Sequence, residues 1–249
     1  MFLWKRNTSR VDFYILNDTR AEIEKMIEYN DLTGLLHKTA QIHGHHCVGS
    51  AMGVIGAHYV MKTMGVVQNT GMEHLIAVVE TNNCFSDGIQ MVTGCSFGNN
   101  SLVYRDYGKT AFSLVKRSGE GVRISVRPDL GDLLKNKNPE AQRLYLQTVN
   151  QREATPDEED CMMELNKRHC FDILNIPAEK IFRLEHVKVD IPGYSRILAS
   201  QVCAKCGEKV METKAVKRGD VYYCLSCGEG SYGQLDWVGI HWVEKDRGN

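Results

Sequence analysis

The 249-residue sequence lacks an excess of either charge. Thirty Lys and Arg residues stand against 31 Asp and Glu residues, which gives a formal net charge of −1. A protein that coats nucleic acid or an anionic membrane needs a field of positive charge over its surface. The composition therefore argues against a histone-like or polyanion-coating role, and we expect neither nucleic acid nor a membrane as a partner.

The sequence also lacks a long apolar run. Its most apolar stretch, residues 48–64, is interrupted by polar side chains and three glycines, whereas a membrane-spanning helix needs about 20 predominantly apolar residues. Residues 1–20 mix charged and apolar side chains and do not have the pattern of a secretory signal. We therefore expect a cytoplasmic protein, in which the nine cysteines are metal ligands or reactive thiols rather than disulfide partners.

The helical patterns lie in three parts of the chain. Apolar residues recur at three- and four-residue spacing on both sides of Asn30, which predicts two amphipathic helices. Segment 48–64 predicts a buried helix whose spaced glycines permit close approach by another element. Thr155 and Glu158 have the spacing of a capping box, so a helix should follow them.

The strand patterns are short and rich in β-branched residues. They lie at 75–81, in three runs between 101 and 128, and at 182–191. A short helix with Ser86 as its N-cap should separate the first strand from the next. The sequence thus predicts an α+β fold, with helices packed on an antiparallel or mixed sheet, in a first domain of residues 1–198.

The tail contains two Cys-x-x-Cys pairs. Cys203 and Cys206 form the first pair, Cys224 and Cys227 form the second, and 17 residues separate the pairs. A two-residue spacer aims both sulfurs at one ion, and two such pairs complete a tetrahedral four-thiolate zinc shell. Because four thiolates leave no open position for chemistry, we expect structural zinc in a treble-clef or ribbon-like module at residues 199–249. Seven basic and seven acidic residues after position 200 argue against nucleic-acid binding by this zinc finger.

Three histidines and a cysteine crowd one five-residue segment. His43, His45, His46 and Cys47 immediately precede the glycine-spaced helix. Imidazole and thiolate together suit zinc, iron, nickel or copper, and Gly44 lets the chain bend so that alternate side chains converge. The N-terminus of the following helix also favours a thiolate at Cys47, as a ligand or as a nucleophile. The segment therefore predicts a metal site.

A second cluster follows the predicted strand 75–81. Cys84 and Cys95 flank the short helix, and Asp87 lies near its N-terminus. Strand ends are positions where scaffolds commonly display reactive groups. Cys84 is a candidate metal ligand or reactive thiol, Asp87 can orient an imidazole or act as a base, and Cys95 is a candidate for proton or redox chemistry.

Together these motifs resemble the FmdE family, which is named for a component encoded with molybdenum formylmethanofuran dehydrogenase. The residues that carry the resemblance are His43, His45, Cys47, Glu80, Asn82, Cys84, Asp87, Ile89, Gln90, Thr93, Gly94, Cys95, Phe97, Gly98, Asp106, Tyr107, Gly108, Lys109, Ala111 and Phe112. The resemblance implies an α+β core, a metal site built from the His-x-His-x-Cys segment and the Cys84 region, a zinc finger and homodimers, but no assigned reaction. The sequence departs from the usual family form at His46 and Val48, where Leu and Pro are common.

Two functions fit the predicted site. In the first, an enzyme holds zinc, or alternatively iron or nickel, on His43, His45, Cys47 and Cys84, and one open position polarises a carbonyl, formyl or sulfur-containing small molecule. Such a site suits C1 transfer or an oxidoreductase step. In the second, the same ligands belong to a non-catalytic accessory protein that stores or delivers a metal, or that docks onto a larger metalloenzyme.

A third possibility is thiol redox chemistry without a metal. It requires Cys84 to approach either Cys95 or Cys47 within disulfide reach, a Cα separation of about 4.4–6.8 Å. The sequence leaves these three functions open.

Overall fold

The computed structural model describes residues 19–131 and 139–244. The chain divides into two compact units, the first ending at Ile191 and the second beginning at Pro192. Residues 1–18, which make up most of the segment that does not have the pattern of a secretory signal, lie outside the described residues. The predicted domain boundary at residue 199 stays a prediction.

Helices of the first unit follow the periodic patterns. They are α1 (Ala21–Glu28), α2 (Leu32–His43), α3 (Val48–Thr63), α4 (Cys84–Thr93), α5 (Pro139–Tyr145), α6 (Pro156–Ile173) and α7 (Ala178–Ile181), with a π-helical turn at Leu146–Gln151. The predicted break falls at Asn30, whose φ is 57°. The capping box forms at the start of α6, where the Glu158 amide donates to the Thr155 hydroxyl. No helix in the described part of the chain has the length and apolarity needed to span a bilayer.

The strands of the first unit form one mixed sheet, as predicted. They are β1 (Leu75–Val79), β2 (Leu102–Tyr104), β3 (Ala111–Lys116), β4 (Glu120–Val126) and β5 (Phe182–Lys188), in the order β2-β1-β3-β4-β5. β1 and β2 are parallel, and the other neighbours are antiparallel. The architecture is therefore α+β.

The core lies between the helices and one face of this sheet. Side chains of a strand alternate between faces, so Leu75, Ala77 and Val79 of β1 join the large helical core, while Ile76 and Val78 join a smaller cluster on the opposite face. Burial on both faces explains why β1 is a continuous apolar run.

Helices α3 and α4 are in backbone contact. A Cβ atom on Gly53 would lie 2.2 Å from the Phe85 carbonyl oxygen, and one on Gly49 would lie 2.9 Å from the Cys84 Cβ atom. This confirms the predicted close approach, which only glycine permits at these positions. As a result the N-termini of α3 and α4 lie side by side.

The second unit consists of three β-hairpins. They pair β6 (Ser200–Val202) with β7 (Lys209–Met211), β8 (Ala215–Arg218) with β9 (Val221–Cys224), and β10 (Tyr232–Asp236) with β11 (Gly239–Val243). Residues 192–244 contain no α-helix, only a 3-10 turn at Glu212–Lys214, so the hairpins are ribbon-like. Within that range only Cys203, Gly228 and Gly239 are buried.

Candidate metal centre

The loop between α2 and α3 brings three predicted ligands together. His43 ends α2, Gly44 takes a left-handed conformation with φ of 89°, and Cys47 is the N-cap of α3. The chain reverses across this loop because glycine adopts that conformation without steric cost. The ligand atoms of His43, His45 and Cys47 lie within 4.8 Å of one another.

Asp87 holds the imidazole of His43. The Asp87 Oδ2 atom lies 2.7 Å from His43 Nδ1, and His43 Nε2 lies 3.4 Å from the Cys47 sulfur. Asp87 lies in the first turn of α4, and Gln90 Nε2 donates to its other oxygen at 3.3 Å. A carboxylate that accepts the Nδ1 proton leaves the Nε2 lone pair free for an ion, which is the usual arrangement behind a metal-ligating histidine.

The contacts of Cys47 favour its thiolate form. The Cys84 thiol donates a hydrogen bond to its sulfur, and the Ser50 amide donates another at 3.3 Å; these contacts lower the pKa of Cys47 to about 4. Cys47 also lies at the N-terminus of α3, where free amides favour negative charge. The thiolate is the form of cysteine that binds metals.

Cys84, at the start of α4, contacts the group of His43, His45 and Cys47 through the Cys47 sulfur. It is the first residue of α4, and its hydrogen bond to Cys47, with burial, raises the pKa of its own thiol. It lies outside the set of three ligand atoms within 4.8 Å, so its role as a fourth ligand stays a prediction. The predicted N-cap of this helix was wrong: Asn83 caps the Phe85 amide at 3.1 Å, while the Ser86 hydroxyl donates to the Thr81 carbonyl.

Cys95 is not brought to this group. It follows α4 at the end opposite Cys84, and ten helical residues span about 15 Å. Its side chain is fully buried in the core, Asn69 Nδ2 lies 3.4 Å from its sulfur, and burial raises the pKa of its thiol. In this structure Cys95 lies apart from the group and beyond disulfide reach of Cys84, and its catalytic role stays a prediction.

The four tail cysteines also converge. Their sulfur atoms lie within 4.8 Å of one another, and the Cys206 and Cys224 sulfurs are 4.0 Å apart. The edge of a tetrahedron with zinc–sulfur distances near 2.3 Å is about 3.8 Å. Backbone amides of Cys206 and Cys224 lower the pKa of Cys203 to about 6. This cluster could hold a metal ion.

Two residues that contact the loop were not predicted. Ser50 hydrogen-bonds Cys47 through its amide and hydroxyl groups. His37 Nδ1 lies 3.1 Å from Nε2 of His46, which is not among the three grouped ligands. The sequence held no signal for the His37 contact, because the path of the loop decides which imidazole faces α2.

Comparisons with known proteins identify the family of this chain. Residues 42–183 match the family model FmdE, described as "Molybdenum formylmethanofuran dehydrogenase operon". A protein from Archaeoglobus fulgidus named "Probable S-adenosyl-L-methionine-binding protein" is 37% identical over 205 residues, which are 81% of this chain and 54% of the relative. The chain thus spans about half the length of that relative.

A solved structure shares the fold. It is a "tungsten formylmethanofuran dehydrogenase subunit e (fmde)-like protein" from Syntrophus aciditrophicus, with a TM-score of 0.50 and 21% sequence identity. The similarity covers 78% of this chain and 90% of that one. Since the family model matches more than half of the sequence, the chain is a member of the FmdE family.

Proposed function

We propose that this protein is a metal-dependent enzyme that holds one transition metal ion on His43, His45 and Cys47 and a separate structural zinc ion on its four tail cysteines. The observation that carries the proposal is the orientation of His43. The Nδ1 atom of the imidazole lies 2.7 Å from Asp87 Oδ2, and its Nε2 atom lies 3.4 Å from the Cys47 sulfur. A histidine that served only the fold would not need a thiolate opposite its carboxylate partner.

The donor set decides which ions fit. Imidazole nitrogen with thiolate sulfur is a borderline-soft set that suits zinc first, and iron or nickel as alternatives. Two of the ligands, His43 and Cys47, are half-buried, while His45 is exposed. A tetrahedral ion held by His43, His45 and Cys47 would keep one position for water or substrate, as in catalytic rather than structural zinc sites.

The chain's own residues then have distinct tasks. A bound metal would supply Lewis acidity toward a carbonyl, formyl or sulfur-containing group. Asp87 keeps the His43 proton on Nδ1 and fixes the ring, so it is a positioning residue. Cys84 donates its thiol proton in a hydrogen bond to the Cys47 sulfur, so it is a second positioning residue of the centre. C1 transfer or an oxidoreductase step is compatible with these tasks.

Elemental analysis tests the metal content. We expect two metal ions per chain for the purified protein, one for a His45→Ala, Cys47→Ala double variant, and one for a Cys203→Ser, Cys206→Ser double variant. Exposed Cys161 supplies the matched control, Cys161→Ser. If the His45→Ala, Cys47→Ala variant retains both ions, the proposed centre does not exist.

The open position distinguishes an enzyme from an accessory protein. In cobalt-substituted protein, cyanide or azide should shift the visible spectrum of the His/Cys centre, since an exchangeable ligand can be replaced. An unchanged spectrum at saturating anion would indicate a closed shell and favour metal storage or delivery instead.

A second candidate function is binding of S-adenosyl-L-methionine. The name of the 37% identical Archaeoglobus relative favours it. Isothermal titration with this compound, using adenosine and methionine as controls, tests it directly, and absence of heat with all three would leave no support for it. The homodimer, the metalloenzyme partner and the cytoplasmic location stay predictions, the first of which light scattering can check.

A further inference from the structure

A histidine pair lies beside the proposed centre and is separate from it. His37 projects from α2 and is exposed, and His46 belongs to the loop before α3. Their facing nitrogens, Nδ1 of His37 and Nε2 of His46, are 3.1 Å apart, and the rings meet edge to face with centroids 5.1 Å apart. Neither residue belongs to the group formed by His43, His45 and Cys47.

A third element holds both rings in place. Phe171 of α6 lies against them, with ring centroids 5.3 Å from His37 and 5.5 Å from His46. Two surface imidazoles ordinarily lose side-chain freedom when they bind one ion, which costs free energy. Packing on Phe171 removes part of that cost before any ion arrives.

The separation of the two nitrogens suits a shared ion. Imidazoles that bind one tetrahedral zinc ion at 2.0–2.1 Å have nitrogens about 3.3 Å apart. We propose that His37 and His46 form a second metal site, free of sulfur, that takes a borderline divalent cation such as Zn²⁺, Ni²⁺, Co²⁺ or Cu²⁺. Water fills its remaining positions, because the described protein supplies two ligands.

The surroundings of the His37–His46 pair should make its metal affinity lower than that of the His43, His45 and Cys47 group. Lys167 acts electrostatically on His46 and opposes a cation, while the nearby Cys47 sulfur acts in the opposite direction. With two neutral ligands and no thiolate, the pair should bind its ion reversibly, while the thiolate-containing sites retain theirs. In a titration, the thiolate-containing sites should therefore fill first and the His37–His46 pair last.

Cobalt titration of the full chain separates the sites by their spectra. Cobalt bound to thiolate has sulfur-to-metal charge-transfer absorption in the ultraviolet, whereas cobalt on imidazole and water has only weak visible bands. We expect the wild-type protein to take one further equivalent after the charge-transfer absorption has saturated. His37→Gln should lose that equivalent, since glutamine can still hydrogen-bond His46 but is a poor ligand for cobalt.

His186→Gln, at an exposed histidine of β5, is the matched control and should bind as wild type does. Equal cobalt uptake by wild type and His37→Gln would overturn the proposal. Loss of charge-transfer absorption in His37→Gln would also overturn it, because the pair would then be part of the thiolate centre. If the His43, His45 and Cys47 group binds no metal, only the tail cysteines give charge-transfer absorption, and the sulfur-free equivalent is still measured.

Discussion

The two candidate metal centres differ in how much buried core surrounds them. The group of His43, His45 and Cys47 lies at the ends of helices that already pack in a large core. The tail cluster lies on short hairpins, where Cys203, Gly228 and Gly239 are the only buried residues between 192 and 244. The first centre has a carboxylate behind its histidine and an exposed ligand, whereas the second has four sulfurs.

The proposed division is between a metal that serves function and a metal that serves folding. A unit with an apolar core folds without its ion, and the free energy of binding is then available for chemistry. A unit without a core must obtain its folding free energy from the metal. The predictions below test this division, beginning with the largest expected effect.

Removing metal should unfold the tail alone. Structural zinc contributes roughly 10–16 kcal/mol of apparent binding free energy in small zinc-folded units, so Cys224→Ser or a strong chelator should make residues 192–249 sensitive to protease. Mass mapping of a limited digest measures this, with Cys161→Ser as the control. Persistent protection of the tail in metal-free protein would show that the hairpins fold unaided.

Asp87→Asn should weaken the first centre and leave the tail intact. Loss of an outer carboxylate typically lowers metal affinity by about 10- to 100-fold, or about 1.4–2.7 kcal/mol. Competition with a chromogenic chelator measures the change, and Asp172→Asn, at an exposed carboxylate on α6, provides the comparison. Unchanged affinity would contradict the positioning role of Asp87.

Gly53→Ala should destabilise the first unit. Alanine gains about 1 kcal/mol of helix propensity over glycine, but its methyl group would meet a backbone oxygen at 2.2 Å that cannot move aside. Overpacking of this kind costs about 1–3 kcal/mol, so after the gain in propensity we expect a net loss of about 1 kcal/mol in the free energy of unfolding, measured with urea. Gly98→Ala, which meets nothing within 4 Å, should change little. A Gly53→Ala protein as stable as wild type would argue against backbone contact between α3 and α4.

Alkylation of Cys47 in metal-free protein should be nearly independent of pH. With its pKa lowered to about 4, the thiolate persists from pH 8 to pH 5 and is protonated only as the pH falls through 4. At pH 6 the thiolate fraction exceeds that of an ordinary thiol by about 300-fold, but its lower nucleophilicity removes about 100-fold, which leaves about threefold. Peptide mapping after iodoacetamide treatment resolves Cys47 from the other cysteines. A rate that rises tenfold per pH unit would contradict a preformed thiolate.

Local patterns were sufficient for most of the secondary structure. The apolar run of β1 and the capping box at Thr155 each depend on neighbouring residues, and both were predicted correctly. The start of α4 was not, because Asn83 and Ser86 are equally good caps by composition. The Ser86 hydroxyl instead donates to the Thr81 carbonyl oxygen at 2.6 Å, and this hydrogen bond depends on the path of the chain before the helix.

The site was predictable where its residues are neighbours in sequence. His43, His45 and Cys47 needed only the turn at Gly44 to converge. The contact of Asp87 with His43 joins residues 44 positions apart and depends on how α4 packs. The burial of Cys95 was not predictable, because an exposed thiol and a buried one look alike in a sequence. The contact between His37 and His46 depends on the path of the loop and on Phe171 of α6, which packs against both rings.

The paired starts of α3 and α4 also affect how the first centre exchanges protons with water. Each helix start carries about half a unit of positive partial charge on its free amides. Cys47 lies at these helix starts, so the positive partial charges stabilise its thiolate before any metal binds. An arriving cation therefore displaces no hydrogen ion from that sulfur near neutral pH. Calorimetric heats of loading should accordingly vary less with the ionisation enthalpy of the buffer here than at the tail, where Cys227 has its pKa raised to about 12 and must release its proton.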